Sequence, residues 1–127
     1  MAGELVLIVE DNDKNMKLFR DVLQATGYET IAATRGEEAV SAAIERVPDL
    51  VLMDVQLPGI DGVEALKRLR ANERTAGITV VALTAQAMQG DRERFLEAGF
   101  DGYISKPVDV PDFIASVKRY CEEAPSG

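Results

Sequence analysis

The chain has 127 residues, 46% of them hydrophobic and 28% charged, and carries a formal net charge of −8. That length suits one domain around one core, and the composition is that of an ordinary globular chain. The negative balance, with no basic run longer than two residues, argues against a nucleic-acid footprint and against a polybasic membrane patch.

The longest apolar run, Leu5 to Val9, is five residues, far short of a bilayer span, and no signal peptide is expected before it. Histidine is absent, which removes histidine catalysis and the usual zinc sites. Cys121 is the single cysteine and cannot form an internal disulfide, so a reducing, cytoplasmic setting is expected.

Apolar runs of strand length alternate with helical patterns, the signature of βαβ units and a parallel sheet. The first strand is predicted at about Glu4 to Val9. A helix follows, with Met16, Phe19, Val22 and Leu23 on one stripe, Asp13 as its cap and Gly27 beyond its end. The second strand, Tyr28 to Ala33, is more polar, as an edge strand would be. The second helix carries Ala39, Val40, Ala43, Ile44 and Val47 and stops before Pro48. The third strand is Leu50 to Met53.

Pro58-Gly59 marks a turn, and Asp61 with Glu64 resembles a capping box for a helix over about Gly62 to Ala71. Val63, Leu66 and Leu69 face inward there, and Lys67, Arg68 and Arg70 read as solvated surface. The fourth strand is Ile78 to Leu83. The fourth helix is predicted from near Gly90, with Phe95 and Leu96 inward and Gly99 past its end. The fifth strand is Gly102 to Ile104. The last helix follows Asp109 and Pro111, with a stripe of Phe113, Ile114, Val117 and Cys121. One domain is expected, its core over about residues 4–122, with a short frayed tail.

The fold class is therefore α/β: a doubly wound, five-stranded parallel sheet of the flavodoxin-like (βα)5 kind, in strand order 2-1-3-4-5. In such a sheet the carboxyl ends of the strands face one crevice at the point where strand order reverses. Four strand ends carry chemistry: Glu10 and Asp11, Asp54, Thr84, and Lys106 before Pro107. Each alone fits a bland role, as a solvated strand end, a loop cap, a turn hydroxyl or a surface lysine. Together, carboxylates with one lysine and one hydroxyl suit a divalent cation and a phosphoryl group. Tyr103 alone reads as a half-buried edge residue.

The stretches Leu7-Ile8-Val9-Glu10-Asp11-Asn12, Leu52-Met53-Asp54-Val55-Gln56-Leu57-Pro58, Gly62, Ala82-Leu83-Thr84-Ala85 and Tyr103-Ile104-Ser105-Lys106-Pro107 resemble, in order, a receiver domain of a two-component response regulator. The likeness covers essentially the whole chain. Asn15-Met16-Lys17-Leu18-Phe19 and the expected lack of an output domain are similar to single-domain cell-cycle regulators. Ala85-Gln86-Ala87-Met88-Gln89-Gly90-Asp91 is also similar to receivers of hybrid histidine kinases.

The resemblance implies roles. Asp54 becomes the phosphoacceptor and a metal ligand, Asp11 a direct Mg²⁺ (or Mn²⁺) ligand, Glu10 a ligand through water, and the backbone carbonyl of Gln56 a further ligand. Lys106 contacts phosphoryl oxygens, Thr84 is the switch hydroxyl, Tyr103 the switch aromatic, and Pro107 follows a cis peptide bond. Gln56 and Gln86 would bear on phosphate lifetime. The module would catalyse its own aspartyl phosphorylation and dephosphorylation without being a dedicated enzyme. Its phosphodonor would be a histidine kinase or histidine phosphotransfer protein, docked near Asn12, Asn15 and Met16. Its output would be altered binding of a downstream protein.

Crowding of Glu10, Asp11 and Asp54 without metal is expected to raise at least one carboxyl pKa or to loosen the apo site. Three other classes fit less well. A haloacid-dehalogenase-like phosphatase would place an acid where Gln56 stands. A nucleotide or flavin binder lacks its Gly-rich loop after the first strand. A phosphate-independent pseudo-receiver would lack an acid or the lysine, and none is missing.

Overall fold

The computed structural model describes residues 3–85 and 91–123. The elements alternate along the chain: β1 (Leu5–Val9), α1 (Asp13–Ala25), β2 (Glu29–Ala33), α2 (Gly36–Arg46), β3 (Leu50–Asp54), α3 (Gly62–Ala71), β4 (Thr79–Thr84), α4 (Asp91–Ala98), β5 (Gly102–Ser105) and α5 (Val110–Glu123). The strands form one sheet in the order β2-β1-β3-β4-β5, and every pairing is parallel. Gly90, Gln86 and the tail beyond residue 123 lie outside the described residues.

The apolar strands β1, β3 and β4 sit in the middle because both of their faces are covered. Val6, Ile8, Leu50, Leu52, Val81 and Leu83 pack under α1 and α5, through Phe19, Leu23, Phe113 and Val117. The alternate residues Leu7, Val9, Val51, Met53, Val80 and Ala82 pack under α2, α3 and α4, through Ala43, Leu66, Leu69 and Phe95. The period-two alternation of a strand thus feeds two cores. Phe19 and Phe113 stack with ring centroids 5.1 Å apart and join α1 to α5. The more polar β2 lies at the sheet edge, as expected. No helix among the described residues is long and apolar enough to cross a membrane.

Four local expectations change. Asn12, not Asp13, caps α1: its Oδ1 accepts the Asn15 N–H at 3.0 Å, and Asp13 is the first helical residue. Both are good caps, and extended backbone at Asn12 decides between them. Val47 does not complete the α2 stripe. It takes the left-handed conformation at φ 45° as the helix stops before Pro48, and its side chain is turned to solvent.

Leu96 is also exposed, because it sits about 100° round the helix from Phe95, which takes the inward position. Finally, Arg70 is not a solvated surface residue. Its guanidinium donates to the carbonyls of Ala76, Ile78 and Gly99 and to Asp101 Oδ2 at 2.6–3.1 Å. The same Asp101 oxygen accepts the Val80 N–H at 2.8 Å. One side chain thereby ties the end of α3 to the entry of β4 and to the α4–β5 turn.

Candidate functional site

Sheet order brings the carboxyl ends of β1 and β3 side by side, with α1 leaving to one face and α2 and α3 lying on the other. The cleft between them, about 310 Å³, is lined by Glu10, Asp11, Asn12, Asn15, Asp54, Val55, Gln56, Thr84, Ala85 and Lys106. All four strand-end groups read from the sequence meet there. Carboxylate oxygens of Glu10, Asp11 and Asp54 lie within 4.8 Å of one another.

Glu10 follows β1 directly and is 1% exposed. Its N–H donates to Ala33 O at 3.0 Å, which continues the β1–β2 ladder and fixes its direction. One carboxylate oxygen accepts the Asn12 N–H at 3.2 Å, and the other accepts Lys106 Nζ at 2.9 Å. Asp54 ends β3 and is likewise buried. Its Oδ1 accepts the Gln56 N–H at 2.9 Å, and its Oδ2 accepts Lys106 Nζ at 2.9 Å. Asp11 alone of the three acids is exposed.

Lys106 stands just past β5, its backbone N–H donating to Thr84 O at 2.7 Å. The ammonium thus bridges two buried acids from strands far apart in sequence. The Lys106–Pro107 peptide bond is cis, as the resemblance implies. Thr84 is buried at the end of β4.

Close packing behind β3 explains one glycine. A Cβ on Gly62 would stand 2.5 Å from Asp54 O, so only glycine lets α3 start this near β3. Asp61 Oδ1 caps that helix through the Glu64 N–H at 2.9 Å. The Glu64 carboxylate turns to Arg68 instead, at 3.2 Å.

Burial is the main reason the Glu10 carboxyl sits above the ordinary range; Lys106 opposes it, and the Asp54 charge adds to it. The expected direction therefore holds for Glu10, though burial rather than crowding by the other acids is the main cause. Burial alone would lower the Lys106 pKa, but its hydrogen bonds to Glu10 and Asp54, with their negative charge, outweigh burial and raise it. Three carboxylates face one ammonium, so the cleft keeps a net demand for positive charge. Its donors are hard oxygens, with no thiolate or imidazole among them, and this suits a small hard dication.

Two residues lie elsewhere. Tyr103 does not reach the cleft. Half-buried on β5, it lines a separate groove of about 600 Å³ together with Leu96, Ser105, Arg119 and Tyr120. Met16 is buried in the α1–α5 core rather than at the rim, while Asn12 and Asn15 do line the cleft. Asn12 itself, as cap of α1 and as donor to Glu10, was signalled only by its place after the acidic pair.

Residues 6–118 match the response regulator receiver domain. The chain belongs to this family. It is 52% identical over 119 residues to the polar-differentiation response regulator DivK of Brucella ovis, covering 94% of this chain and 97% of that protein. The receiver domain of a sensor histidine kinase from Pseudomonas aeruginosa has a TM-score of 0.88 at 36% identity, over 96% of this chain and 100% of that one; its structure holds a magnesium ion coordinated in the active site cleft. The chemotaxis response regulator CheY4 of Vibrio cholerae, 24% identical, shares the fold with a TM-score of 0.88 over 94% of this chain and 99% of that one. As a response regulator receiver the chain is a phosphorylation-dependent regulatory module and not a dedicated enzyme.

Proposed function

We propose that Asp54 is the phosphoacceptor of a single receiver domain spanning about residues 4–122. The observation that carries this is the Lys106 ammonium, held 2.9 Å from both Asp54 and Glu10 inside an acidic cleft. An Asp54 carboxylate oxygen attacks the phosphorus of a phosphohistidine. The new O–P bond forms as the P–N bond breaks, and the imidazole leaves with the electron pair. Hydrolysis later returns the carboxylate and inorganic phosphate.

Attack brings anion onto anion, so transfer is mainly positioning and charge stabilisation. Mg²⁺ supplies the charge that cancels this repulsion, and Mn²⁺ suits the same donors. Asp11 and Asp54 are its proposed direct ligands with the Gln56 carbonyl, and Glu10 acts through water. Lys106 holds a phosphoryl oxygen as a movable point charge. Thr84 donates its hydroxyl to the product phosphate, Tyr103 follows it as the switch aromatic, and Pro107 shapes the turn after Lys106.

The donor is a histidine kinase or histidine phosphotransfer protein reaching Asp54 over Asn12 and Asn15. The output is altered affinity for a downstream protein at the α4–β5–α5 face, since a net charge of −8 repels DNA. A cytoplasmic setting belongs to the same reading, and the free thiol of Cys121 supports it.

Intact mass after incubation with acetyl phosphate and Mg²⁺ tests the assignment. Wild type should gain one phosphoryl group. Asp54→Asn, or wild type with EDTA, should gain none. Undiminished labelling of Asp54→Asn would sink it.

A further inference from the structure

The loop from β3 to α3 carries Gln56 and is closed at its base by Gly62 N–H donating to Val55 O at 3.0 Å. Its tip, Gly59–Ile60, is gripped by a different βα unit. Gly36, the first residue of α2, lies so close that a Cβ there would stand 2.5 Å from Ile60 Cγ1 and 2.6 Å from Ile60 O. Gly59 has φ +77°, and a Cβ on it would stand 2.5 Å and 2.8 Å from the two Glu37 carboxylate oxygens. Arg35 Nη2 stands 3.0 Å from the same point, and Arg35 Nε lies 3.9 Å from Glu37 Oε1. Glycine at both positions is what allows this approach.

We propose that the Glu37 carboxylate is a positioning group for the cation site. By holding the Gly59–Ile60 tip it sets the course of the loop, and hence the direction of the Gln56 carbonyl. The inference rests on the reading of that cleft as a Mg²⁺ site.

Glu37 does not touch the cleft; it acts at the far end of a short loop whose near end is tied to Asp54 by the Gln56 N–H. Its carboxyl sits below the ordinary range because the nearby backbone amides, its own first and then that of Ile60, together outweigh the opposing effect of burial, with Arg35 and Arg68 adding their charge.

The test compares wild type, Glu37→Ala and Glu37→Gln by Mg²⁺ titration under NMR and by amide hydrogen exchange without metal. Glu37→Ala should weaken Mg²⁺ binding by about tenfold, the low end for groups that orient metal ligands. It should also speed exchange at Ile60 and shift the Gln56 amide. Glu37→Gln keeps an acceptor oxygen and should recover most of both effects.

If wild type and Glu37→Ala bind Mg²⁺ equally and exchange alike, the positioning role is overturned while the cation site stands. Faster exchange at Ile60 with unchanged Mg²⁺ affinity would also overturn it, leaving Glu37 a purely structural clasp. If wild type binds no Mg²⁺, the reading of the cleft fails and the inference falls with it.

Discussion

Glu10 and Lys106 show how burial and pairing compete at a single contact. Lys106 attracts the ionised form of Glu10, yet the Glu10 carboxyl still lies above its ordinary 4.5, because removal from water is the larger effect and Asp54 adds repulsion. The sign of the linkage follows. Just above pH 4.5 the folded chain holds a proton on Glu10 that the unfolded chain has released. Between that point and the folded-state pKa, rising pH therefore costs stability through this group.

Glu10→Gln carries a neutral group of similar shape and escapes the loss. In EDTA, denaturant midpoints of the variant should gain on those of wild type as pH rises through this window. A constant difference across it would contradict the account. Mg²⁺ should oppose the loss in wild type by binding the folded state, with about 1.4 kcal/mol of stabilisation at ten times its dissociation constant.

At the scale of elements, the Arg70–Asp101 clasp joins the end of α3 to the starts of β4 and β5, which the sheet already pairs with each other. Arg70 caps the carbonyls of Ala76, Ile78 and Gly99, and Asp101 takes both the guanidinium and the Val80 N–H. The contact fixes where β4 and β5 begin, and so how Thr84 and Lys106 arrive at the cleft. Arg70→Ala removes a charged donor from three carbonyls and one carboxylate. It should cost about 2 kcal/mol, the scale of hydrogen bonds to a charged group. Arg70→Lys would offer a point charge without the planar fork and should restore only part. Urea melts of the two variants measure this; a loss within about 0.5 kcal/mol for alanine, the usual surface value, would refute the clasp.

Across the whole molecule, the cleft, lined by Thr84 and Lys106, and the groove at β5 and α5, lined by Ser105 and Pro107, adjoin at the carboxyl ends of β4 and β5. A phosphoryl group on Asp54 would draw Lys106 and the Thr84 hydroxyl toward it. The Tyr103 ring, half-buried against the α2–α3–α4 core, has room to change its packing in the groove. Two packed arrangements of hydroxyl and ring would make a two-state element.

NMR shifts on adding a beryllofluoride mimic should extend from Asp54 to Tyr103, Leu96 and Arg119. A protein target bound on that face should change affinity by about 1–3 kcal/mol, the usual coupling range. Shifts confined to the rim of the cleft would remove the coupling.

Much of this is legible in the chain before it folds. Apolar runs bounded by turn residues, alternating with helical stripes, determine five parallel strands and five helices, because the two periods differ and each central strand buries both faces. The acids, hydroxyl and lysine stand at strand ends, and parallel topology sends strand ends to one side. What the sequence could not decide is depth and reach.

Periodicity assigns a helix face but not which of two neighbours turns inward, so Leu96 and Val47 fit an inward stripe and yet face solvent. Two adjacent capping residues look alike until the backbone picks one, as it picks Asn12. Arg70 reads as surface because its partners are mostly carbonyls, which have no signature in sequence. The bridge from Lys106 to Glu10 and Asp54, and the close approach of Glu37 to Gly59 and of Gly36 to Ile60, join residues that only the packed sheet brings together. Local sequence carries period and turn chemistry; contact between distant segments exists only once the chain has folded.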